Sequence, residues 1–127
     1  MTLIDTSAWI EFFRGRGPIA SQVDELVDAD EAALCGPVVT ELRRGFATER
    51  ERRKVLPLLS ACKALSQPTL LWEEAGDLGF FLARKGVTVK TLDLLIAVHA
   101  LAHDSALLTK DRDFAAMRTA GVALVLV

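Results

Sequence analysis

The sequence predicts an α/β fold in which a central parallel sheet of four to five strands carries helices on both faces. Short β-prone apolar runs, beginning with residues 2–4, 32–35 and 106–109, alternate with longer stretches of helical spacing. One of those stretches, residues 91–103, is apolar on nearly every side, as a helix packed inside an α/β core must be.

The elements follow in order. Residues 2–4 form a first strand that ends at Asp5, and Thr6 or Ser7 caps a helix running to about Arg14. Residues 15–18 close that helix, and residues 19–28 have helical spacing. A buried strand over 32–35 is turned by Gly36-Pro37 into a helix carrying Thr40-Glu41-Leu42-Arg43-Arg44, because proline suits a first helical turn. A further helix covers 49–61, with a kink expected near Pro57. Residues 63–66 read as a short strand. Leu71, Ala75, Leu78 and Leu82 then mark a helix over 69–85 that Gly86 stops. After the apolar helix come a strand over 106–109, a short helix over 112–120 and a last strand over 122–127. With no repeat, linker or low-complexity tract, the 127 residues read as one domain spanning 1–127.

Composition narrows the function. The chain is 51% hydrophobic, yet no apolar run reaches the roughly 20 residues of a membrane span. Asp5 near the start argues against a secretory leader, so a cytoplasmic protein is expected. Cys35 and Cys62 lie far apart and fit buried, reduced thiols better than a metal motif. A net charge of −2 gives little bulk attraction to nucleic acid. The run Arg50, Arg52, Arg53 and Lys54 is interleaved with Glu49 and Glu51, as on a solvated helix face. His99 and His103 stand four apart without the glutamate of a zinc HExxH motif, which favours packing roles.

The acids point to chemistry. In open parallel sheets, sites form at the carboxyl ends of strands where the strand order reverses. Asp5 ends the first strand, Glu41 lies a turn into the helix after the second, Asp93 opens the apolar helix, and Asp111 and Asp113 follow the 106–109 strand. Two unit charges 4 Å apart repel by about 4 kcal/mol at an effective dielectric of 20, so such a group requires protonation or a cation. Oxygen ligands without cysteine or histidine suit Mg²⁺ or Mn²⁺, ions that serve phosphoryl chemistry. Thr6, Ser7 and Thr109 lie at the same edge and could hold those carboxylates by hydrogen bonds.

Four segments resemble the motifs of PIN domains, in matching order and across essentially the whole chain. They are Leu3-Ile4-Asp5-Thr6-Ser7-Ala8-Trp9, Thr40-Glu41-Leu42-Arg43-Arg44-Gly45, Leu92-Asp93-Leu94-Leu95-Ile96-Ala97 and Leu107-Leu108-Thr109-Lys110-Asp111-Arg112-Asp113-Phe114. The length is similar to that of VapC toxins of VapBC toxin–antitoxin pairs. The resemblance implies a three-layer α/β/α PIN fold and an Mg²⁺- or Mn²⁺-dependent endoribonuclease. It maps the acidic site onto Asp5, Glu41, Asp93 and Asp111, with Asp113 as a fifth member, and leaves open which of Asp111 and Asp113 is the fourth ligand.

On that reading Asp5 and Asp93 hold the principal ion, and Glu41 orients or deprotonates the attacking water. Arg43, Arg44, Lys110 and Arg112 are the candidates for phosphate contact. The resemblance also implies a VapB-type antitoxin, with Trp9, Phe12, Phe13 and Phe46 as candidates for the docking surface, and a homodimer or larger assembly. The alternatives are a PIN nuclease of RNA maturation and an inactive PIN-like binding module. An aspartyl-phosphate enzyme of the HAD type would need a second acid two residues after Asp5, where Ser7 stands.

Overall fold

The computed structural model describes residues 1–127. In chain order the elements are β1 (Thr2–Ile4), α1 (Thr6–Arg14), α2 (Gly17–Asp28), β2 (Ala32–Leu34), α3 (Gly36–Arg44), α4 (Glu49–Ala61), β3 (Lys63–Ala64), α5 (Leu71–Arg84), α6 (Thr91–Ala102), β4 (Ala106–Leu108) and α7 (Arg112–Thr119). The four strands form one sheet in the order β3-β2-β1-β4, and every pairing is parallel. Leu3 pairs with Ala33 on one side and with Leu107 on the other.

This order positions the site. From β1 the chain moves outward to β2 and β3, then crosses back to lay β4 on the opposite side of β1. The reversal opens a crevice at the carboxyl ends of β1 and β4, where Asp5 and Asp111 stand. β1 and β2 are buried throughout, which explains why they read as continuous apolar runs rather than alternating ones. α6 is buried from Asp93 to Ala100 and packs against α3, α5 and α7. Trp9, Phe114, Leu107 and Ile96 are among the largest fully buried side chains of the core.

Several boundaries depart from the sequence reading. The expected last strand over 122–127 is a single isolated parallel bridge between Leu107 and Leu126. The Val122 amide closes α7 by donating to the Met117 carbonyl (3.1 Å), and the Leu124 amide donates to Val122 (2.8 Å). Those bonds fold the segment until Val125 and Val127 meet Leu107. Gly121, at φ 111°, permits that turn.

The sheet therefore has four strands, within the expected range. β3 is only two residues long and exposed, as a short edge strand can be. α2 starts at Gly17 rather than at residue 19, because Pro18 sits inside its first turn. α4 runs as one helix across Pro57. α5 begins at Leu71 and ends as expected, with Gly86 at φ 79° and the Val87 amide bonded to the Leu82 carbonyl (2.9 Å).

The residues that lacked an assigned chemistry have structural places. Cys35 and Cys62 are free thiols, one buried and one half-buried, and burial pushes the Cys35 thiol up to about 11. His99 Nδ1 meets the Leu95 carbonyl (2.8 Å) and His103 Nε2 meets the Ser66 carbonyl (2.8 Å), so the two rings are engaged separately. No helix is long and apolar enough to cross a membrane.

Candidate active site

Asp5 follows β1 directly, and its amide donates to the carbonyl of Leu108, the last residue of β4 (2.9 Å). It occupies the position before α1 without capping it through its side chain, so the expected cap by Thr6 or Ser7 is not made either. Its carboxylate turns instead to two hydroxyls. Ser7 Oγ and Thr109 Oγ1 both donate to Asp5 Oδ2, each at 2.8 Å. The same hydroxyls fix the loop after β4. Ser7 Oγ accepts from the Lys110 amide and Thr109 Oγ1 from the Asp111 amide, each at 2.9 Å. Asp5 is thus buried and preoriented.

Asp111 caps α7, with Oδ1 accepting from the Asp113 amide at 2.9 Å. Asp113 lies in the first turn of that helix, where an acid favours the helix dipole. Asp93 lies in the first turn of α6 and is buried, although Leu92 before it is exposed. One oxygen from each of Asp93, Asp111 and Asp113 lies within 4.8 Å of the others. Asp93 Oδ2 is buried with no hydrogen-bond partner. Burial pushes the Asp93 carboxyl up to about 7; the charges of Asp111, Asp5 and Asp113 add to the rise and Lys90 opposes it. A buried carboxylate oxygen without a donor is costly unless it is protonated or meets a cation.

Glu41 reaches the site from α3. Its Oε1 accepts from Thr6 Oγ1 (2.9 Å), the hydroxyl next in sequence to Asp5. Asp5 and Glu41 both add to the rise of the Cys35 thiol, behind the larger effect of burial, so both charges act on that one point at the start of α3. The tight group consists of Asp93, Asp111 and Asp113, with Asp5 bonded into the loop that carries two of them. Glu41 stands on the neighbouring helix outside that group. The donor set, all carboxylate oxygens and including a residue whose Oδ2 is buried without a partner, fits a hard divalent ion such as Mg²⁺ or Mn²⁺.

The basic candidates are dispersed. Arg43 and Arg44 are exposed in the last turn of α3, and Arg112 is exposed at the start of α7. Lys110 Nζ is paired with Glu11 Oε1 of α1 at 3.1 Å, and Arg14 shares that carboxylate at 3.6 Å. Lys110 therefore braces α1 against the loop after β4.

Trp9 departs from its expected place on a docking surface. It is fully buried, with its ring 5.9 Å from those of Phe12 and Phe13. The surface that does open beside the acids is a groove of about 330 Å³ between α1 and α3, lined by Ile10, Phe13, Leu42 and Phe46, with Thr6 and Glu41 along it. Trp72 on α5, 61% exposed, passed unnoticed in the sequence because a helical tryptophan usually packs inward.

Comparison with known proteins agrees with this architecture. The PIN domain family model matches residues 2–119. Ribonuclease VapC11 of Mycobacterium tuberculosis is 32% identical over 119 residues, covering 90% of this chain and 89% of that protein. A chain in the crystal structure of VapBC2 from Rickettsia felis, bound to a DNA fragment from its promoter, has a similar fold. Its TM-score is 0.78 at 22% identity, over 99% of this chain and 96% of that one. A chain of VapBC-5 from Mycobacterium tuberculosis, a toxin–antitoxin system, gives a TM-score of 0.64 at 26% identity, over 99% and 94% of the two chains. The match to the PIN domain model over nearly the whole chain, joined to a VapC relative of this identity and coverage, establishes that the chain belongs to the PIN-domain family and to its VapC relatives.

Proposed function

We propose that this chain, acting as one PIN domain over residues 1–127, is a divalent-metal-dependent endoribonuclease and the toxin half of a VapBC-type pair. The observation that carries the reading is the cluster of Asp93, Asp111 and Asp113 at the sheet's reversal point, in which Asp93 is buried and its Oδ2 has no hydrogen-bond partner. The relative named a ribonuclease supports the substrate class, and the VapBC structures support the partner.

Asp5, Asp93, Asp111 and Asp113 would hold Mg²⁺ or Mn²⁺, and the bound ion would supply activation of water and neutralisation of phosphate charge. Ser7 and Thr109 keep Asp5 Oδ2 fixed, so that the carboxylate needs little reorganisation when substrate arrives. Glu41, held by Thr6, orients the attacking water or takes its proton. Asp111 and Asp113 share the ligand role, since the cap geometry brings both into one cluster. Arg43, Arg44 and Arg112 contact phosphates flanking the cut, and Lys110 joins them when it leaves Glu11. An apolar segment of a VapB-type antitoxin fills the groove of Phe13 and Phe46, next to Glu41. The assembly includes a second copy of the chain, and the pair acts in the cytoplasm.

Incubation of the purified chain with RNA and with DNA of the same sequence tests the reading. RNA cleavage is expected with Mg²⁺ or Mn²⁺, absent in chelator and restored by excess ion, with DNA left intact. RNA that stays whole at saturating Mn²⁺ would reject the enzyme and leave the inactive binding module. Cleavage without growth arrest on induction would point to RNA maturation instead of a toxin.

A further inference from the structure

We propose that the groove between α3, α5 and α6 is a nucleobase subsite, in which Trp72 stacks an unpaired RNA base next to the phosphodiester that is cut. The proposal rests on the ribonuclease reading and adds a recognition element to it.

The groove encloses about 370 Å³ and is walled by Pro37, Thr40, Gln67, Trp72, Leu92 and His99, among others. Two of these are chain neighbours of the acids, since Thr40 precedes Glu41 and Leu92 precedes Asp93. The groove thus comes within one residue of Glu41 on α3 and of Asp93 on α6, and it shares none of its lining with the Phe13–Phe46 groove. A strand of RNA with its phosphate at the acids would bring an adjoining base to it.

The lining suits a base. Trp72 is 61% exposed and Leu92 is 37% exposed, so a flat aromatic face and an aliphatic wall are both open. Bases stack on such faces whatever their identity, and their edges are then read by polar groups. Three polar side chains are present. His99 is 2% exposed and meets the Leu95 carbonyl through Nδ1. A carbonyl can only accept, so Nδ1 donates, and in the neutral ring Nε2 is left as an acceptor on a residue lining the groove. Thr40 and Gln67 add a hydroxyl and an amide, which can both donate and accept. His103 bonds the Ser66 carbonyl at 2.8 Å and so fixes the segment bearing Gln67 against the end of α6. Leu71, buried beside Trp72 in sequence, anchors the start of α5. Leu95, which also lines the groove, is buried as well.

The test compares the wild type with Trp72→Ala and Trp72→Phe on short single-stranded RNAs. Stacking on one aromatic corresponds to about a 5- to 150-fold effect on affinity, so Trp72→Ala should lower kcat/KM within that range. Trp72→Phe should recover most of it. Mn²⁺ affinity and Tm should stay at wild-type values in both, which separates stacking from damage to the acids or the fold. The chain has two tryptophans, and Trp9 is fully buried. Fluorescence of the Asp93→Asn protein should therefore be quenched through Trp72 by an intact oligonucleotide and much less by one abasic beside the cut. Cleavage by Trp72→Ala at the wild-type rate, with equal quenching by both oligonucleotides, would overturn the subsite and leave the nuclease intact. No RNA cleavage by the wild type would remove both readings. Trp72 emission that changes with protein concentration alone, alongside a doubled mass, would assign this face to a second copy and overturn the subsite.

Discussion

Replacing Asp93 by asparagine is expected to abolish RNA cleavage while the fold keeps or gains stability. The two effects separate because the role proposed for the carboxylate is chemical and its structural one is small. Its Oδ2 makes no hydrogen bond, and its pKa near 7 records an environment that resists the charge. Asparagine has nearly the same shape, removes the charge and cannot replace an anionic ligand. The expected loss is at least about 10³-fold in kcat/KM, equivalent to roughly 4 kcal/mol of transition-state stabilisation. Asp5→Asn should lose activity to a similar degree. Its amide oxygen can still accept from Ser7 and Thr109, so Tm should fall only slightly. Cleavage assays beside thermal unfolding check both. Retained activity in the two variants would reject the assignment of the site, and a collapse of Tm would make the residues structural.

The second large effect is a dependence of stability on pH that reverses the usual behaviour of an aspartate. In the metal-free protein the folded Asp93 carboxyl titrates near pH 7, against a reference value of 3.8. Between those values the native state holds a proton that the unfolded chain has released. The stability associated with that proton is fully present below about pH 4 and is lost as pH rises toward 7. The upper bound on the slope is about 1.4 kcal/mol per pH unit. Tm of the metal-free protein should therefore fall from pH 5 to pH 8, and in Asp93→Asn that component of the fall should vanish. A divalent ion binds the ionised form, so Mn²⁺ should raise Tm more at pH 8 than at pH 5. The difference between wild type and variant isolates the contribution of Asp93 from that of every other titrating group. Parallel Tm curves for the two proteins would contradict this account of the buried carboxyl.

The sequence exposed the fold wherever one local signal dominated. β1, β2 and β4 are buried on both faces, so each appears as an unbroken apolar run, and α6 is nearly all apolar for the same reason. The tail after Gly121 has the same apolar character but is bent by bonds back to α7, and composition cannot reveal a hydrogen bond that forms only on folding. The acids were legible because a single topological rule sends Asp5, Asp93, Asp111 and Asp113 to one edge. The partners that hold them were less so. Thr6 meets Glu41 across 35 residues and Thr109 meets Asp5 across 104, separations that leave no trace in local pattern. Trp9 and Trp72 are a clear case of opposite fates. Both lie on helices among apolar residues, yet one is fully buried and the other largely exposed. Trp9 lies on α1, which packs on α2 and α3, and Trp72 on α5, which packs on α6, and these tertiary contacts decide which ring is covered.

The central claim is that these carboxylates converge on a hard divalent ion. Anomalous diffraction from crystals grown with Mn²⁺ tests it most directly. The account predicts a manganese peak bonded to Asp93 and to at least one of Asp5, Asp111 and Asp113, and its loss in Asp93→Asn crystals. A well-ordered wild-type structure in saturating Mn²⁺ with no peak among these residues would contradict it.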